Sequence, residues 1–179
     1  MFYKQSTNLK LSRGFTLIEL VVTMIILAIL AVVASAKFID FQSDARIAVM
    51  KAVGGAMRSS LTEIHTLALL QDKDQGTSSI TIDGVNVPLK DGYPAVDSSV
   101  DFPQINAQLR AWVDIDTVDR NTARDNRKAS VLFSDKSTGN GFIYVFFSDF
   151  YDTKNSTQCF VQYENGTNGP VVTVETSQC

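Results

Sequence analysis

Residues 15–33 form a nineteen-residue apolar run that contains a single charged side chain, Glu19. A run of that length and composition can form a membrane-spanning helix. A carboxylate inside such a span costs roughly 2.5–3.5 kcal/mol on insertion scales, so it marks function and needs a partner. Residues 1–14 form a short leader that carries Lys4, Lys10 and Arg13 and no acid. The only cation that could arise within the apolar segment itself is a new α-amine, made by cutting between Gly14 and Phe15. Two ordinary readings fit less well. A secretory signal is cut after its apolar core, at a small-x-small site such as Ala34-Ser35-Ala36, and that leaves Glu19 unexplained. A plain signal anchor has no use for Glu19 or for the Gly-Phe junction.

The remaining bulk features agree on topology. The length, 179 residues, suits one modest domain on a helical anchor. The leader holds three of the 16 basic residues and none of the 19 acidic ones, so the chain without it carries −6 instead of −3. A net-acidic chain with no basic cluster after Arg46 has no evident footprint for nucleic acid. Basic residues ahead of the span favour a cytoplasmic N-terminus, with the rest of the chain outside. Only two cysteines occur, Cys159 and Cys179, and they read as one disulfide in an oxidising compartment. Two free thiols or half of a metal site are the alternatives, the latter with no histidine close in sequence.

After Lys37 the uniformly apolar pattern becomes amphipathic. Phe38, Phe41, Ala45, Ala48, Val49, Ala52, Val53, Ala56, Met57, Ser60, Ile64 and Leu67 recur at helical spacing, with charged residues between them. The pattern predicts one helix from Phe15 to about Leu70, some 80 Å long at about 1.5 Å per residue. No small core can bury such a helix, so lipid or other copies must cover part of it. Gly54-Gly55 interrupts it as a close-packing point or bend. Residues 71–79 form a polar break. Residues 80–87 read as a hairpin about Asp83-Gly84, a type I′ turn signal. Residues 90–101 read as an irregular connection, 103–113 as a short helix and 114–128 as a charged loop. Strands are expected at 130–133, 142–147, 160–163 and 171–174, the last two divided by a turn-rich linker. The fold class is therefore α+β: a long N-terminal α-helix packed on a C-terminal antiparallel β-sheet.

The contiguous string Arg13-Gly14-Phe15-Thr16-Leu17-Ile18-Glu19-Leu20 resembles the class III signal of type IV prepilins. The strings Phe41-Gln42-Ser43-Asp44-Ala45-Arg46 and Gly92-Tyr93-Pro94 are similar to those of mannose-sensitive haemagglutinin (MSHA) pilins. The resemblance implies the type IV pilin fold and cleavage by a prepilin peptidase at Gly14-Phe15. It further implies N-methylation of Phe15, and assembly through Glu19, paired with the N-terminal amine of a neighbouring subunit. Implied partners are other copies of the chain or other pilins, the peptidase, the pilus assembly machinery and, before assembly, the bacterial inner membrane. The mature location is then an extracellular pilus (fimbrium), with the globular part periplasmic or extracellular. A pseudopilin of a type II secretion system shares the same leader and is the alternative. The implied organisation is a leader at 1–14, a transmembrane and polymerisation helix at 15–36, its amphipathic continuation at 37–70, and a globular head at 71–179. The family often carries Gly and Pro at the positions of Ala28 and Ala36, so this chain is expected to keep a straighter helix. Of the two roles open to it, major or minor pilin, the departure favours the minor one.

Other signals are weak. Asp114-x-Asp116-x-x-Asp119 invites a calcium reading, but its spacing misses the EF-hand pattern and lacks its glycine, so a solvated acidic loop is expected. His65 is the only histidine and is expected to be structural. No base, nucleophile and orienting acid can be assembled, so no enzyme, cofactor or metal is expected. Asn155-Ser156-Thr157 and Asn165-Gly166-Thr167 match the glycosylation sequon in a tail where such matches mean little. Alternation puts Phe142, Tyr144 and Phe146 on one face of a strand, expected to pack on the helix; a sugar-binding platform is the sharper alternative.

Overall fold

The computed structural model describes residues 15–96, 99–137 and 141–179. The chain divides into two compact units, with the boundary between Gln42 and Ser43. Helix α1 (Leu17–Leu70) belongs in part to each. It runs without interruption through Ala28, Ala36 and the Gly54-Gly55 pair. From Leu17 to Ser35 the helix is apolar on nearly every side, with Glu19 its one charge, and its side chains there are exposed.

The second unit is built on the rest of α1. Met50, Val53, Met57, Leu61, Ile64 and Ala68 recur at three- and four-residue steps and are buried. This stripe is turned from the expected one: Ala45, Ala48, Val49 and Ala52 are exposed, and Met50, Leu61 and Ala68 take their place. Of the glycine pair, Gly54 lies against Val174 while Gly55 faces open space.

Two sheets follow. The first is β1 (Thr77–Ile82), β2 (Val85–Lys90) and β3 (Tyr93–Pro94), all antiparallel. Its tight turn is at Asp83-Gly84, both with positive φ, as a type I′ turn requires. Strand β1 starts three residues earlier than expected, and β3 falls in the stretch read as irregular. Helix α2 (Phe102–Val113) begins with Asp101, whose side chain accepts from the Gln104 amide, and ends at Asp114 in the left-handed region.

The stretch expected to be a charged loop holds two elements instead: β4 (Thr117–Asp119) and α3 (Arg120–Asp125). Then come β5 (Leu132–Lys136), β6 (Phe142–Phe147), a 3₁₀ turn at Ser148–Phe150, β7 (Phe160–Gly166) and β8 (Gly169–Glu175). The five strands lie in the order β4-β5-β6-β7-β8. All neighbours are antiparallel except β4, which pairs parallel with β5. Strands β7 and β8 make a continuous hairpin down to Gly166 opposite Gly169, so the expected linker is only a tight turn.

The core joins the α1 stripe to Ile105, Leu109 and Trp112 of α2 and to one face of the larger sheet. That face carries Ile143, Val145 and Phe147, the opposite set from the aromatics expected there. Phe146 instead packs with Phe133 and Ala123 in a second cluster on the other side, joined by Tyr144, Tyr151 and Phe160. Strand β6 is apolar on both faces, so alternation alone could not choose between them. At the free edge of the sheet, Arg58 of α1 donates to the Val172 carbonyl of β8 at 2.9 Å.

Two side chains tie the sheets together. The Tyr163 hydroxyl donates to the Pro94 carbonyl at 2.7 Å, and the Asn165 amide donates to the Lys90 carbonyl at 2.9 Å. Burial, then the nearby Tyr93 phenol, pushes the Tyr163 pKa far up, so this hydroxyl keeps its proton. Cys159, fully buried, and Cys179 form a disulfide across the open end of the β7–β8 hairpin.

Candidate functional site: an exposed apolar helix with one carboxylate

Residues Leu17–Ser35 are long and apolar enough to cross a membrane, and none of that length is buried by the rest of the chain. Phe15, Leu17 and Ile18 are more than 70% exposed. At about 25 cal/mol per Å² of apolar surface, a face of this kind drives strongly toward lipid or toward other helices.

Glu19 sits in the first turn of α1, and the single chain already gives it partners. Its carboxylate accepts from the Thr16 amide at 3.1 Å and from the Thr16 hydroxyl at 2.9 Å. In return, the Glu19 amide donates to the Thr16 hydroxyl oxygen at 3.3 Å. This reciprocal pattern is a capping box, which satisfies two of the four orphan N–H groups at a helix start. The sequence reading missed it, although Thr16-Leu17-Ile18-Glu19 carries the Ser/Thr-x-x-Glu signature. The carboxylate also lies at the positive end of the helix dipole. Glu19 is thus held at the outermost turn of the helix, four residues from Phe15. Gly14, the other half of the expected cleavage site, lies outside the described residues.

Beyond the apolar span the helix keeps an uncovered seam. In the second unit Ala45, Ala48 and Ala52 follow one another at steps of three and four residues, and all are exposed. This is the spacing by which helices pack along one another.

A model of the prokaryotic N-terminal methylation motif matches residues 9–35. The matched stretch is a class III N-terminal methylation signal at the start of the chain. Neither a curated protein nor a solved structure matched the chain. The signal implies processing by a prepilin peptidase and assembly into pilus-like filaments. Together with the apolar helix it fits a pilin-like subunit anchored in a membrane before assembly.

The other sequence candidates of this pilin-like chain have separate structural roles. Asp114 ends α2, Asp116 accepts from the Ser130 hydroxyl at 3.3 Å, and Asp119 caps α3. Among the described residues no group of three or more His, Cys, Asp or Glu is arranged to hold a metal ion. His65 stacks on Tyr93, ring centroids 4.4 Å apart and planes 3° from parallel. Gly92-Tyr93-Pro94 therefore forms a clasp: Asp91 and Gly92 turn at positive φ, Tyr93 covers His65, and Pro94 accepts from Tyr163.

Proposed function

We propose that the chain is a structural subunit of a type IV pilus, cut between Gly14 and Phe15, methylated on the new amine, and polymerised through its N-terminal helix for surface attachment. The observation that carries this reading is Glu19, the one charge in an uncovered apolar helix, placed four residues beyond the cleavage junction of a methylation motif. Isolated charges in an apolar filament core are costly, and pairing Glu19 with a neighbour's amine removes much of that cost. The same pair fixes the stagger between subunits, as a single polar contact fixes register in a coiled coil. Residues 1–14 are then the discarded leader, 15–36 the polymerisation helix, 37–70 its amphipathic continuation and 71–179 the head. The MSHA-like strings favour an attachment pilus.

A second reading, a pseudopilin of a type II secretion system, draws on the leader that the two classes share, while Ala28 and Ala36 in an unbroken helix favour a minor over a major pilin. The intact mass of the protein in the sheared surface fraction separates the two. The pilin reading expects a chain starting at Phe15 with one added methyl and two hydrogens lost at the cysteines. The same processed form confined to the membrane fraction would favour the pseudopilin, and an uncut chain would refute both. Glu19→Ala should be processed normally yet assemble poorly; normal piliation of that variant would sink the pairing.

A further inference from the structure

The aromatic face of β6 and β7, turned away from α1, opens into a cleft of about 680 Å³. Tyr144, Phe146 and Phe160 contribute its aromatic wall, with ring centroids 5.6–5.7 Å apart. Phe146 is buried, while Tyr144 and Phe160 are half-buried. Beside the rings lies a built charged group. Asp135, 6% exposed, pairs with the Lys154 ammonium, which lies over Tyr151 at 4.8 Å on a side chain 9% exposed. Arg120 meets the same carboxylate through a single nitrogen at 3.5 Å while its guanidinium lies over Phe102 at 5.0 Å. The lining also includes the polar segment from Asn155 to Gln158, and Glu175. A buried ion pair is seldom the most stabilising way to fill such a space, so its presence at a cleft wall calls for a use.

We propose that this cleft binds an acidic saccharide: a sugar ring bearing one carboxylate, as in an oligomer of uronic acid. Three features select that chemistry. The half-buried aromatic rings offer an apolar surface with a polar tip, suited to a ligand that is apolar on one side and hydroxylated at its edges. The lining mixes donors with acceptors (Lys154, Asn155 and Ser156 with Asp135 and Glu175), which matches hydroxyl groups that both donate and accept. Arg120, more than a third exposed and holding Asp135 through one nitrogen, retains donors for a planar carboxylate. A doubly charged phosphate would meet repulsion from Asp135 and Glu175, which a single carboxylate held at Arg120 largely avoids. Burial, followed by Glu164 and Asp135, raises the Tyr144 pKa, so its phenol remains a donor.

The inference rests on the pilin reading only for its biological setting, as an attachment contact; binding itself needs no filament. The test uses the full-length chain in detergent micelles, titrated calorimetrically with tri-galacturonate, with a neutral galactose trimer and with inorganic phosphate. Tri-galacturonate should bind, more weakly as salt is raised. Arg120→Gln and Tyr144→Ala should each weaken it by about tenfold or more, with Arg120→Lys between Arg120→Gln and the unaltered chain. The neutral trimer and phosphate should bind about tenfold less well or worse. In the unaltered chain, the Tyr144 and Phe160 ring resonances should shift on adding tri-galacturonate, a readout that does not depend on any variant folding. Equal binding of the neutral trimer, equal binding of phosphate, shifts confined to other residues, or no binding up to about 10 mM would overturn the proposal. Failure there leaves the mass and piliation results of the pilin reading untouched, and failure of those leaves the cleft measurable.

Discussion

At the scale of single residues, the adjacent glycines of α1 behave oppositely. A Cβ on Gly54 would stand 2.3 Å from Cγ2 of Val174, whereas one on Gly55 would meet nothing within 4 Å. Alanine gains about 1 kcal/mol of helix propensity at either position. At Gly54 that gain is outweighed by overpacking against a stiff β-branched side chain, which costs about 1–3 kcal/mol. Gly54→Ala should therefore lower the urea midpoint of the full chain in micelles, and Gly55→Ala should raise it. A gain at both positions would show that Val174 moves aside without cost. The sequence marked the pair as a close-packing point or a bend but could not tell which member packs, because the answer depends on where β8 falls. The aromatic set of β6 carries the same lesson: Phe142, Tyr144 and Phe146 are the bulkier residues, yet the helix covers Ile143, Val145 and Phe147. When both faces of a strand are apolar, the choice is made by what lies above and below it.

Among the elements, those with a strong local signal were legible. Helix α2 differs from its expected span by one residue at the start, and the Asp83-Gly84 turn formed where the turn chemistry placed it. Strand β4 and helix α3 were not legible, being three and six residues long and dependent on partners distant in the chain. What starts α3 is Asp119, which accepts from the Asn121 amide at 2.8 Å and the Thr122 hydroxyl at 2.6 Å. Burial pulls its pKa upward, but the Thr122 hydroxyl and the Asn121 and Thr122 amides outweigh it, so the carboxyl titrates below its usual range. A depressed folded pKa contributes stability above the ordinary carboxylate pKa of about 4 and loses it as pH falls through the lower folded value. Asp119→Ala should thus cost about 1–2 kcal/mol at neutral pH. The gap between variant and parent in denaturant melts should narrow as the medium is acidified below pH of about 4. A gap constant from neutrality into strong acid would mean that the cap does not act through its charge.

For the whole molecule, the sequence set out the plan, a long helix followed by an α+β head, because hydrophobic period and length are properties of the chain itself. The site was legible to the same degree. Glu19 and its apolar surroundings can be read from composition, while its hold on Thr16 needed the helix start to be built. The cysteine pair left alternatives open that the disulfide between Cys159 and Cys179 closes. By the chain-entropy relation, a link over 20 residues of separation contributes roughly 3 kcal/mol. Cys159→Ala with Cys179→Ala should lower the thermal midpoint of the head accordingly, and alkylation of the native protein should label neither cysteine. A midpoint unmoved by the double substitution would show that the head needs no covalent closure.

The hydrogen bond from Arg58 to the Val172 carbonyl matters most when copies are crowded. The outer edge of β8 is otherwise a template on which an identical strand could pair, and chains held side by side meet such edges at very high local concentration. A guanidinium occupying one carbonyl and projecting its charge along that edge makes strand-on-strand growth unfavourable. In the proposed filament, copies would then gather through their helices without the heads fusing into a cross-β aggregate.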